Sequence, residues 1–87
     1  MLKVSVISPE RVLFEGEVDS LVAPAFDGEV GILPAHAAMM TLLGTGELRL
    51  GAGGTAGRFH VEGGFLQVLN DEVRVVTEHA TSGQSAR

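Results

Sequence analysis

Apolar and polar residues alternate with a period of two along almost the whole chain, and glycine-rich breaks interrupt that alternation at short intervals. Leu2, Val4 and Val6 share one phase; Val12, Phe14 and Val18 share another, with Glu15 and Glu17 out of phase. Leu48 and Leu50 flank Arg49, Phe59 and Val61 alternate with Arg58, His60 and Glu62, and Leu66/Val68 and Val73/Val75 continue the pattern. Successive side chains of an extended strand point to opposite faces, so this pattern specifies strands with one buried face. The breaks are Ser8-Pro9, Pro24, Asp27-Gly28, Gly44-Thr45-Gly46, segment 51–57, Gly63-Gly64 and Asn70-Asp71. Most of the 12 glycines fall in them, where tight hairpins demand positive φ. Many short strands with closely spaced turns make an all-β fold, a flattened sandwich or barrel of short antiparallel strands. Only segment 34–43 is ambiguous. Pro34 with Ala, Met and Leu behind it fits a short helix, and the same residues fit a loop entering a buried strand.

The 87 residues allow one domain, and a domain this small buries a modest share of its unfolded surface. It has no cysteine, and no His/Cys spacing offers a zinc staple. Stability must come from an efficient apolar core or from a partner, and a hydrophobic content of 45% fits both. The formal net charge of −5 argues against nucleic acid, whose phosphates demand clustered cations. No apolar run reaches the ~18–20 residues needed to span a bilayer, and Met1-Leu2-Lys3-Val4-Ser5 enters alternation directly, without a signal-peptide block. These features predict a soluble, intracellular chain, with a β-domain over 1–80 and a polar, frayed tail over 81–87.

Candidate chemistry is sparse. The glycines of segment 51–57 lack the Lys and following helix of a phosphate cradle and read as a flexible hairpin tip. His60 and Glu62 share a strand face, but no third metal ligand stands at a recognisable spacing. Glu15, Glu17 and Asp19 form an acidic stripe that suits edge protection better than paired-carboxylate catalysis. No Cys nucleophile or Gly-x-Ser-x-Gly elbow exists. Segment 27–36 is denser: an acidic turn, a short strand interrupted by Gly31, then Pro34 and His36. Glycine within a strand predicts close backbone approach at that point. On these residues alone the segment is either a kinked hairpin exit or an element with a role beyond connecting strands.

Five collinear blocks resemble the epsilon subunit of F-type ATP synthases, the counterpart of mitochondrial delta. They are Val4-Ser5-Val6-Ile7-Ser8-Pro9-Glu10 with Phe14-Glu15-Gly16; Gly28-Glu29-Val30-Gly31-Ile32-Leu33-Pro34 with His36; Gly46-Glu47-Leu48-Arg49-Leu50; Gly63-Gly64-Phe65-Leu66-Gln67-Val68; and Val73-Arg74-Val75-Val76-Thr77. The resemblance implies a ten-stranded β-sandwich and an extended strand, not a helix, near 39–43. It implies a non-catalytic rotor part without cofactor, coupling the c-subunit ring to the gamma subunit during proton- or sodium-driven ATP synthesis. Such a chain would be a peripheral membrane protein on the cytoplasmic face of a bacterial membrane, held there by the complex.

By position, Asp27, Gly28 and Glu29 would face the c-ring, and His36, Met40 and Thr41 would face gamma. The sequence departs from the family pattern at Ala35, usually glycine, and at Ala38, often proline. It ends at Arg87, before the two-helix C-terminal domain common in the family, so the ATP binding and hydrolysis control of that domain are not assigned to these residues. The alternative from another functional class is a stand-alone sandwich that binds carbohydrate or peptide.

Overall fold

The computed structural model describes residues 1–52 and 55–82. Its strands run in the order β1 (Leu2–Ile7), β2 (Val12–Val18), β3 (Leu21–Ala25), β4 (Gly28–Ile32), β5 (Met39–Leu42), β6 (Thr45–Leu50), β7 (Gly57–Leu69) and β8 (Glu72–Ser82). Segment 34–43 forms no helix; its strand is β5, as the resemblance implies.

Eight strands make a ten-stranded sandwich because two of them serve both layers. The second half of β7 pairs β5 and its first half pairs β6, while β8 follows β7 through both halves. One layer is therefore β2-β1-β8-β7-β5 and the other is β4-β3-β6-β7-β8. The crossing lies at Gly63, where one pair drops out of the ladder between Glu62↔His79 and Gly64↔Thr77 while the register is kept. Gly63-Gly64, expected to end a strand, is thus a bend inside a continuous one. Both glycines hold positive φ, 73° and 102°. On the partner strand, buried Thr77 donates its hydroxyl to the His79 carbonyl at 3.0 Å.

Other particulars also differ from the sequence reading. Among the described residues β1 and β8 pair in parallel, whereas the other neighbours pair antiparallel. Pro24 lies within β3, beyond Leu21 and Val22, the residues that pair β6, where its missing N–H costs no ladder bond. Thr81 and Ser82, expected in the frayed tail, pair with His60 and Phe59. Val12 does not face the core but is 54% exposed, because the β1–β2 register shifts between Val6 and Ile7. Residues 53–54 of the glycine-rich tip and 83–87 of the tail lie outside the described residues.

The alternation is answered in the core. Leu2, Val4, Val6, Leu66, Val68, Val73 and Val75 from one layer meet Leu21, Ala23, Ile32, Leu48, Leu50 and Val61 from the other, and none is more than 2% exposed. Each buried aliphatic side chain contributes roughly 1.5–3 kcal/mol relative to exposure, which is how a chain without staples holds its fold. Among the described residues no buried side-chain N or O lacks a hydrogen-bond partner.

One local conflict remains at Ala35, which adopts φ 68°. An L-residue there pays ~1–2 kcal/mol against Cβ crowding, and glycine gives back about half of that through its larger unfolded-state entropy. Ala35→Gly should therefore raise stability by about 0.5 kcal/mol, read as a higher urea midpoint at unchanged m-value.

Candidate docking surface

The sequence-predicted residues fall at different places on the sandwich. Phe26 and Asp27 make the turn between β3 and β4, and Gly28 (φ 131°) and Glu29 open β4. All four are exposed. Glu29 is not a free charge: Arg49 Nη2 approaches both of its carboxylate oxygens at 3.4 Å. Arg49 also meets Glu47 at 3.4 Å, so the acidic edge is tied into a surface ion-pair chain. Gly31 does not mark a close approach, since a Cβ built there would meet nothing within 4 Å.

His36 lies beyond the other end of β4, half-buried, in the loop 33–38. Its Nδ1 sits 2.7 Å from the Ala37 carbonyl. Met40 and Thr41, grouped together by the resemblance, point opposite ways: Met40 is 64% exposed and pairs with Gln67, whereas Thr41 is half-buried opposite core Leu66.

A further feature of the surface is one that the sequence motifs do not single out. Register pairs carry one apolar row across all five strands of the β5-side layer. Val12 pairs with Ile7, Ile7 with Val76, Val76 with Phe65, and Phe65 with Leu42. Phe26, 66% exposed, continues the row through its N–H to the Leu42 carbonyl at 3.0 Å. The next row, Glu15-Ser5-Arg74-Gln67-Met40, is mostly polar. A groove of about 380 Å³ opens along the apolar row between Pro9, Ile7, Val76 and Phe65, bordered by Gly64 and Glu78. Monomeric proteins seldom leave a contiguous apolar band of this kind uncovered.

A signal for it does exist in the sequence. Ile7, Phe65, Val76 and Leu42 each adjoin a core residue, namely Val6, Leu66, Val75 and Leu43. Such doubled apolar residues break the alternation and put one side chain outside.

The polar candidates stay apart from this band. His60 Nε2 lies 3.4 Å from Glu62 Oε2 with both side chains half exposed. Among the described residues no group of three or more His, Cys, Asp or Glu is placed to hold a metal. Glu15 and Glu17 are exposed on β2, which among the described residues is an edge strand paired with β1 alone, where charge discourages unwanted strand addition.

Comparison with known proteins bears on what this surface belongs to. The family described as "ATP synthase, Delta/Epsilon chain, beta-sandwich domain" matches residues 1–83. An ATP synthase epsilon chain of Leptospira borgpetersenii serovar Hardjo-bovis is 49% identical over 78 residues, covering 90% of this chain and 61% of the relative. The epsilon chain of Desulforamulus reducens is 42% identical over 78 residues, covering 90% of this chain and 59% of its own length. The chain thus spans about three-fifths of the length of these relatives. A chain of the Euglena gracilis mitochondrial ATP synthase has the same fold, with TM-score 0.83 at 23% identity, covering 93% of this chain and 52% of that one. A chain of the Tetrahymena thermophila central stalk and c-ring structure gives 0.76 at 17%, covering 93% and 66%. The all-β sandwich, its ten strand segments and the match over nearly all of its length place this chain in the delta/epsilon-chain family of ATP synthases, as the family's β-sandwich domain.

Proposed function

We propose that the chain is a non-catalytic rotor subunit of an F-type ATP synthase, coupling the c-ring to the gamma subunit of the central stalk at the membrane surface. The observation that carries this reading is the transverse apolar row, present on a domain whose family belongs to that machine. The row docks on gamma, together with Met40 in the neighbouring row and His36 in the loop that leads into β5. Asp27, Gly28 and Glu29 face the polar loops of the ring, where an acidic turn meets basic groups. No residue is assigned a catalytic or cofactor role; the domain transmits torque by staying rigid between two contacts.

The direct test is binding of the chain to a purified gamma–c-ring assembly. Saturable binding is the expected result, and a folded chain with no affinity for it overturns the reading. Glu29→Lys tests the ring contact. Glu29 is exposed and its bonds to Arg49 are long, so stability should change by no more than about 0.5 kcal/mol. Proton-driven ATP synthesis by the reconstituted complex should fall, because a cation now faces the basic loops. A large fall in the urea midpoint would instead make Glu29 a structural residue.

A further inference from the structure

The loop that carries His36 has little of its own to hold it. Between the end of β4 and the start of β5, residues 33–38 are exposed except for half-buried His36, so packing supplies almost no restraint. Its internal bonds are the His36 N–H to the Leu33 carbonyl at 3.1 Å and the contact of His36 Nδ1 with the Ala37 carbonyl. Among the described residues, one side chain from elsewhere reaches it by hydrogen bond: Asp71 Oδ1 accepts the Ala35 N–H at 2.7 Å across 36 positions of sequence.

Asp71 is itself well placed for this. It is the second residue of the two-residue turn joining β7 to β8, with Asn70 and Asp71 at φ 53° and 61°. Positive φ at both positions defines the hairpin turn whose twist matches the flanking strands. The Asp71 carbonyl also accepts the Lys3 N–H at 2.8 Å. Backbone and side chain of one residue thus join the start of β1, the β7–β8 turn and the loop.

We infer that Asp71 is a positioning residue: its carboxylate fixes the loop 33–38, through the Ala35 amide, in the place from which the His36 side docks on the stalk. This rests on the docking reading above. A carboxylate accepting a backbone N–H is stronger than a neutral pair, and a loop ordered before binding spares the entropy of ordering it at the interface.

Asp71→Gly separates this role from hairpin stability. Glycine after Asn70 suits this turn type well, so the turn persists while the carboxylate is gone. Hydrogen exchange at the Ala35 amide of the chain, followed by NMR, should accelerate about tenfold or more. Affinity for the gamma–c-ring assembly should fall about tenfold, the scale of one charge-assisted bond, with the fold retained as a single cooperative thermal transition. Asp71→Asn retains the acceptor and tolerates the turn, so it should restore most of the protection and most of the affinity. Unchanged affinity in Asp71→Gly overturns the inference while the docking reading stands. Lost affinity with Ala35 exchange unaltered also overturns it, because Asp71 would then act by touching the partner. If the unmutated chain does not bind, the docking reading falls and takes this inference with it.

Discussion

A chain carrying Gly64→Ala is expected to lose about 3–5 kcal/mol of stability, enough to leave a domain of this size largely unfolded at 37 °C. A Cβ at this position would lie 1.9 Å from the Val76 carbonyl oxygen and 2.7 Å from the Thr77 Cα, both backbone atoms of the paired strand. No rotamer change relieves a clash with backbone, so β7 and β8 must separate where they cross between layers. The φ of 102° adds a second penalty, since L side chains rarely adopt it. Gly31→Ala is the matched control: it too lies in a strand, but a Cβ there meets nothing within 4 Å. Its effect should stay within about 0.5 kcal/mol, since a less flexible unfolded chain offsets any small loss in the strand. Urea unfolding of the two variants side by side checks the contrast. Similar midpoints for both would mean that the bend can form without glycine.

The same pair of glycines shows where reading a sequence stops. Gly63-Gly64 was visible as a break, because glycine at positive φ marks turns and strand bends alike. Deciding between them needs the neighbours on the other side of β7, which change at the bend: β6 lies beside its first half and β5 beside its second. The all-β class and the core were legible for a simpler reason: Leu2, Val4, Val6, Leu48, Leu50, Val73 and Val75 are fixed by period two within single strands. The parallel pairing of β1 with β8 was not legible, since it joins the first strand to the last. Pro24 misled for a related reason, being a strand breaker only where a neighbour requires its N–H.

The candidate surface divides along the same line. The acidic turn and His36 are contiguous motifs and could be picked out, but their surroundings could not. Neither the Arg49 contact of Glu29 nor the Asp71 tie of Ala35 leaves any local trace in the sequence. The resemblance groups Met40 with Thr41, whereas strand geometry assigns adjacent residues to opposite faces.

Leu42→Asp should reduce affinity for the gamma–c-ring assembly by about 30- to 100-fold while leaving the fold intact. Leu42 is 63% exposed, so replacing it removes little buried area, and its β5 pairing with Phe65 runs through backbone that the substitution does not touch. At a docked surface the balance reverses. The apolar contact is lost and a carboxylate is desolvated without a partner, a combination worth about 2–3 kcal/mol at the centre of an interface. Position in the row makes Leu42 the informative choice. It lies between Phe65 and Phe26, so a charge there interrupts the band, whereas Glu15→Lys on edge strand β2, in the neighbouring polar row, leaves the band whole. Binding measured by surface plasmon resonance, with thermal unfolding as the control for folding, separates the possibilities. If Leu42→Asp binds as tightly as the unmutated chain and Glu15→Lys does not, the partner is held by the charged side of the layer, and the apolar row is not what couples this domain to its machine.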